Sequence, residues 1–227
     1  MLAAISIGWT STNSHVIPDH FEMTCQAFVL PWGSVDVWAL SADRIVGEAD
    51  WNTLESSERA RANGFRKKTD RDRYVLCRAA LRRILGNYLN RAPECLVFEY
   101  GKNGKPFLVG ERLHFNVSHA DEKCLIAATD AAPVGVDLEP ETRALRVSEF
   151  AKTVCSPSEH AHILDLPAAY QGLELLRIWV AKEAFLKSLG EGLTTRPLSI
   201  IDTHKLPVCF IDPIPGFVSA LSLSPLQ

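Results

Sequence analysis

The chain has 227 residues, of which 47% are hydrophobic and 22% charged, with a formal net charge of only −3. That length gives one large domain or two of about 100 residues, and the balance excludes a disordered chain and a protein dominated by one sign of charge. Cys25, Cys77, Cys95, Cys124, Cys155 and Cys209 form no Cys-x-x-Cys pair and stand mostly in apolar flanks, so they read as free thiols of a reducing cytoplasmic compartment.

Met1 to Trp9 is mildly apolar, lacks a basic start and is broken by Ser6 and Gly8, so it is not read as a signal peptide. No stretch approaches the ~20 continuous apolar residues of a membrane span. Residues 1–34 lack periodicity and are expected to be an extension or an edge element. Val35 to Leu40 alternates as a strand. Leu54 to about Gly64 reads as a short helix, and Thr69 to about Leu89 as a long one, with Leu76, Cys77, Leu81, Ile84 and Leu85 at helical spacing and arginines opposite. Cys95 to Tyr100 is an expected strand, Lys102 to Pro106 a turn, and strands follow at 114–117, 124–128 and 134–138. Helices occupy 148–189, the last starting near Ala168 and stopping at Gly190. Strand-like segments at 197–202, 206–211 and 216–223 close the chain. The order of elements suggests an α+β fold of two similarly built halves: residues 1–34, then an N-terminal half over 35–125 and a C-terminal half over 126–227.

Several short words carry chemistry. In Gly135-Val136-Asp137-Leu138-Glu139 the two carboxylates lie two residues apart on a strand, hence on one face. Adjacent anions repel unless a cation lies between them, and all-oxygen donors suit a hard ion such as magnesium; the plain reading is a solvated strand end. In Trp179-Val180-Ala181-Lys182-Glu183-Ala184-Phe185-Leu186-Lys187, Glu183 and Lys187 share a helix face. They are an ordinary i,i+4 pair, or else a third carboxylate and a phosphate-neutralising ammonium. Ser118 and His119 end a strand and point to opposite faces, so they are not a nucleophile and its base; both can donate to phosphate oxygens. Gly101 to Pro106 departs from a P-loop, yet Lys105 in a turn can reach a phosphate. Between Glu58 and Arg91, eleven arginines and lysines face three carboxylates. This is a solvated face, or a complement to a phosphate-rich ligand or an acidic protein. Few aromatics accompany it, which disfavours nucleic acid.

In this order the words resemble the signature series of the surfactin-type (Sfp-type) 4'-phosphopantetheinyl transferases: Phe65-x4-Asp70-x2-Arg73, Gly104-Lys105-Pro106-Phe107, Phe115-Asn116-x-Ser118-His119, Gly135-Val136-Asp137-x-Glu139 and Trp179-x2-Lys182-Glu183-Ala184-x2-Lys187-x2-Gly190. The likeness covers residues 35–222. It implies a pseudo-symmetric monomer with coenzyme A in the cleft between its halves, and transfer of phosphopantetheine to a serine of an acyl or peptidyl carrier protein with release of 3',5'-ADP. It further implies Mg2+ held by Asp137, Glu139 and Glu183, phosphate contacts from Lys187, and 3'-phosphate or pyrophosphate contacts from Lys105, Ser118 and His119. Arg61 fits a basic position before Phe65, while Gly64 stands where some members carry lysine; Arg66 or Arg78 is the expected compensation. Glu183 is the expected base, acting directly or through water. A coenzyme A pyrophosphohydrolase dependent on magnesium, or a non-catalytic coenzyme A-binding module, are the other readings.

Overall fold

The structure is a computed structural model and describes residues 23–30, 33–193 and 195–224. Strand β1 (Met23–Leu30) forms an antiparallel hairpin with β2 (Gly33–Ser41). Two short helices, α1 (Glu48–Thr53) and α2 (Ser56–Asn63), lead into the 22-residue α3 (Lys68–Leu89). A separate two-stranded hairpin, β3 (Phe98–Tyr100) with β4 (Pro106–Leu108), precedes β5 (His114–Ala120) and β6 (Lys123–Thr129). These strands make a four-stranded antiparallel sheet of order β1-β2-β6-β5. After β7 (Val134–Pro140) come α4 (Val147–Val154), α5 (Pro157–Asp165), the 22-residue α6 (Ala168–Leu189), β8 (Val208–Ile211) and β9 (Phe217–Leu223); the second sheet has order β7-β9-β8. The fold is α+β.

Each long helix covers its own sheet. Leu76, Ala80, Leu81, Ile84 and Leu85 of α3 are sealed against Trp38, Phe115, Cys124 and Ile126. On α6, Leu176, Val180 and Ala184 close on Val218 and Ala220 of β9. Both helices end on a left-handed residue, Asn90 (φ 50°) and Gly190 (φ 70°), which turns the last carbonyls toward new donors. Gly135 lets α6 touch the β7 backbone: a Cβ there would fall 2.0 Å from the Ala184 carbonyl oxygen and 2.3 Å from the Ser188 nitrogen.

The structure differs from the sequence reading in several places. Residues 23–30 belong to the first sheet as its outer strand, while residues 1–22 lie outside the described residues. A division between 125 and 126 would cut β6, which pairs with both β2 and β5; the sheets part instead at residues 130–133. The helix expected over 54–64 is α2, which starts at Ser56; α1, which the sequence reading did not include, precedes it, and the extended Leu54 (ψ 141°) separates the two. The segment 197–202 is not a strand. Pro197 starts a single 3-10 turn at Leu198–Ile200, whose Leu198 carbonyl is taken by Lys182.

Candidate functional site

The two sheets meet where β5 lies beside β7. No backbone ladder joins these strands; side chains do. The Asn116 Oδ1 accepts from the Val136 N–H at 2.9 Å, and the Ser118 hydroxyl donates to Asp137 Oδ1 at 2.7 Å. Alternation on β7 sends Val136 and Leu138 into the core and leaves Asp137 and Glu139 on the other face, Asp137 buried and Glu139 half-buried.

Lys187 reaches this seam from the last turn of α6. Its ammonium donates to Asp137 Oδ1 at 2.5 Å and to Ser118 Oγ at 3.0 Å, and stands 3.8 Å from Glu183 Oε2. Ser118, Asp137, Glu183 and Lys187 are therefore one cluster. Burial, then the Asp137 carboxylate, pushes the Glu183 carboxyl up to about 7, with Lys187 opposing. Glu139 is also raised, by burial first, although Arg143 bonds it at 2.5 Å. Asp137 Oδ2 is buried and has no hydrogen-bond partner. An orphaned carboxylate oxygen beside two further carboxylates fits a hard divalent cation in kind. Among the described residues, however, no three acidic, His or Cys side chains already close around an ion position.

On the other side of β5 lies a cavity of about 410 Å³ between α3 and the β3–β4 turn. Arg61, Arg73, Tyr74, Arg78, Tyr100 and His119 line it, over a floor that includes Cys77, Leu81 and Val117. Arg61 lies over the Tyr74 ring, 5.4 Å from its centroid, and Phe65 packs against the same ring. His119 is held below the ordinary histidine range by burial, then by the Arg73 and Lys187 charges. It is therefore mainly neutral at pH 7.

Two expected residues are placed differently. Lys105 does not face the cavity. Its ammonium donates to the carbonyls of Val134 (2.8 Å), Lys187 (2.6 Å) and Ser188 (3.2 Å), and burial lowers its pKa to about 8. Arg66 is exposed and lies outside the lining, whereas Arg78, the alternative to it, does line the cavity while also bonding Glu58. Much of the basic segment serves the fold: Arg82 joins Arg78 on Glu58, Arg83 joins Arg44 on Asp50, Arg91 pairs with Glu111 and Arg59 caps the Leu54 carbonyl. Sequence reasoning passed over Arg73, Tyr74 and Tyr100. The motif Phe65-x4-Asp70-x2-Arg73 was the available signal for Arg73, since Asp70 and Arg73 lie about one turn apart on α3 and line the cavity with Phe65.

Cationic cavity and carboxylate cluster share one strand, and the chain matches known proteins over both. Residues 133–218 match the 4'-phosphopantetheinyl transferase superfamily, and residues 41–131 match the 4'-phosphopantetheinyl transferase N-terminal family. The chain belongs to the 4'-phosphopantetheinyl transferases. Its curated relatives include the 4'-phosphopantetheinyl transferase HetI of Nostoc sp., 37% identical over 146 residues (62% of this chain, 61% of that protein). AcpT of Escherichia coli is 34% identical over 136 residues (59% and 65%), and Sfp of Bacillus subtilis 28% over 142 (62% of each). The chain thus spans less than two thirds of the length of each of these relatives.

Proposed function

We propose that this protein transfers the 4'-phosphopantetheine of coenzyme A to a serine hydroxyl of an acyl or peptidyl carrier protein, releasing 3',5'-ADP. The observation that carries the reading is the arrangement about β5. A cavity with arginine, tyrosine and histidine walls lies on one side, and the Asp137–Glu183–Lys187 cluster on the other. A ligand with a nucleotide at one end and a pyrophosphate beside it matches both. The volume suits a nucleotide, since small-molecule pockets run from about 300 to 1,000 Å³. Tyr74 and Tyr100 offer faces to a base, and Arg61, Arg73 and His119 offer charge-assisted bonds to a 3'-phosphate.

In the reaction the carrier hydroxyl oxygen bonds to the phosphorus that bears pantetheine, and the bond from that phosphorus to the oxygen bridging toward adenosine breaks. The hydroxyl proton goes to Glu183, whose carboxyl, before any cation is bound, burial and then Asp137 hold above the ordinary glutamate range. The departing phosphate gathers negative charge, and the Lys187 ammonium is placed to neutralise it. Asp137, Glu139 and Glu183 would hold Mg2+, which when bound supplies positive charge against the pyrophosphate. A monomer acting in the cytoplasm is part of this reading; among the described residues no helix is long and apolar enough to cross a membrane.

The test is the intact mass of several apo carrier proteins incubated with coenzyme A, MgCl2 and this enzyme. A gain of one phosphopantetheine, absent with EDTA, is the expected result. Coenzyme A cleaved without a modified carrier would replace the transferase by a hydrolase. Coenzyme A bound but unchanged, with every carrier unmodified, would leave a binding module.

A further inference from the structure

The β3–β4 hairpin belongs to neither large sheet. Its turn is closed within itself by Gly104 N–H to the Gly101 carbonyl and Gly101 N–H to the Lys105 carbonyl. Two of its side chains leave the hairpin and grip the end of α6. The Asn103 amide donates to the Gly190 carbonyl at 2.9 Å, and Lys105 spends its ammonium on Val134, Lys187 and Ser188. A helix leaves its last four carbonyls without internal partners, and its C-terminus attracts cations. The Lys105 ammonium meets both conditions, and it reaches across to the first residue of β7 as well. It thus fixes the end of α6 against the strand that carries Asp137, at the residue whose side chain touches Asp137. Gly104 and Pro106, on either side of Lys105, line the cavity.

We propose that Lys105 is a positioning residue, not a phosphate ligand: by tying the cavity-side hairpin to the carbonyls of Lys187, Ser188 and Val134 it sets the register of Lys187 and Glu183 against Asp137. The inference rests on the transferase reading above. An ammonium with three donors converging on three carbonyls has none left for a phosphate. The tether therefore acts on the arrangement of reacting groups and not on the grip on coenzyme A.

The test compares Lys105→Met, Lys105→Arg and Asn103→Ala with the parent enzyme. Transfer rates to an apo carrier and calorimetric Kd values are measured for coenzyme A and for its 3'-dephospho form. For Lys105→Met, kcat is expected to fall about 10- to 100-fold, the scale of a misplaced reacting group. Its Kd should stay within about threefold of the parent, as for a group that does not touch the ligand. The fold-loss in kcat should be the same for both donors. Lys105→Arg should not restore the rate, because a planar guanidinium cannot reproduce a compact ammonium among three carbonyls, whereas a phosphate contact would accept it. Asn103→Ala, an exposed change that leaves Lys105 in place, should lower kcat about threefold with Kd unchanged, and it decides the matter if the Lys105 variants do not fold. A Kd raised tenfold or more in Lys105→Met, restored by arginine or absent with the 3'-dephospho donor, would overturn the positioning role while leaving the transferase reading intact. A parent enzyme that modifies no carrier removes the transferase reading and this inference with it.

Discussion

The two long helices are held by the same device. In the first half, Glu58 of α2 accepts the N–H of Glu55 at the helix start and pairs with Arg82 of α3, whose guanidinium also donates to the Pro93 and Leu96 carbonyls. In the second half, Glu159 of α5 accepts the N–H of Ser156 and pairs with Lys182 of α6, whose ammonium also donates to the Val154 and Leu198 carbonyls. In each case the cation is fully buried and the carboxylate nearly so. The halves diverge one residue later. Arg83 goes to Asp50 and stays structural; Glu183 opens onto the seam and, with Lys187, meets Asp137. A shared frame thus holds a cationic cavity in one half and a carboxylate cluster in the other. Charge density alone does not separate fold from site; the atoms each charge reaches do.

The comparison breaks most visibly at Asp137. Asp137→Ala removes the partner of Lys187 and an expected metal ligand, and should lower the transfer rate by about a thousandfold or more, with the far-ultraviolet circular dichroism and melting cooperativity of the parent. Near-normal transfer would dissolve the distinction between the halves. Next in size are the buried pairs. Lys182→Met leaves the buried Glu159 without its cation and should cost about 3–5 kcal/mol in urea unfolding, and Arg82→Met should cost less, because Arg78 stays on Glu58. Equal costs would mean that the frame is energetically symmetric, and a loss under about 1 kcal/mol in Lys182→Met would show that Glu159 finds other partners.

A smaller effect separates the cavity arginines from the structural ones. Arg73→Ala should weaken coenzyme A binding about tenfold, the worth of a charge-assisted bond, while Arg83→Ala should leave Kd alone and lower only the melting temperature. The reverse pattern would place the nucleotide outside this cavity. The smallest effect is on acid stability. Burial alone would raise the Asp50 carboxyl, but bonds from Arg44, Gly47 N–H and Arg83 hold it down at about 2. A folded-state pKa below the unfolded value gives stability that is complete above the ordinary aspartate range and lost as the pH falls toward 2. Asp50→Asn should therefore flatten the fall in unfolding free energy between about pH 4 and pH 2, and an unchanged slope would assign that loss to other carboxylates.

What the sequence disclosed followed range. Signals carried within one element were readable: the span of α6 to Gly190, the facing of Asp137 and Glu139, and the opposed directions of Ser118 and His119. Residues paired across the chain were not. Glu58 meets Arg82 at a separation of 24 residues and Asp50 meets Arg83 at 33, so the arginine-rich segment looked like an open electrostatic surface when much of it was already engaged. Lys105 misled for the same reason, since its carbonyl partners lie 29 to 83 residues away. The segment 197–202 reads as apolar and extended in isolation; it turns after Pro197, and the Leu198 carbonyl accepts from the distant Lys182.

The contact at Gly135 has a consequence for redesign. The α6 backbone rests directly on the strand there, with room for a hydrogen and nothing larger. The spacing between the Asp137 and Glu183 backbones is thus a hard stop, set by atoms in contact and not by adjustable side chains. Engineering toward a bulkier or differently charged donor has no play on that side of the molecule. The cavity wall that carries Phe65 and Tyr100 takes no part in this backbone contact, so a change of ring there leaves the Gly135 contact untouched.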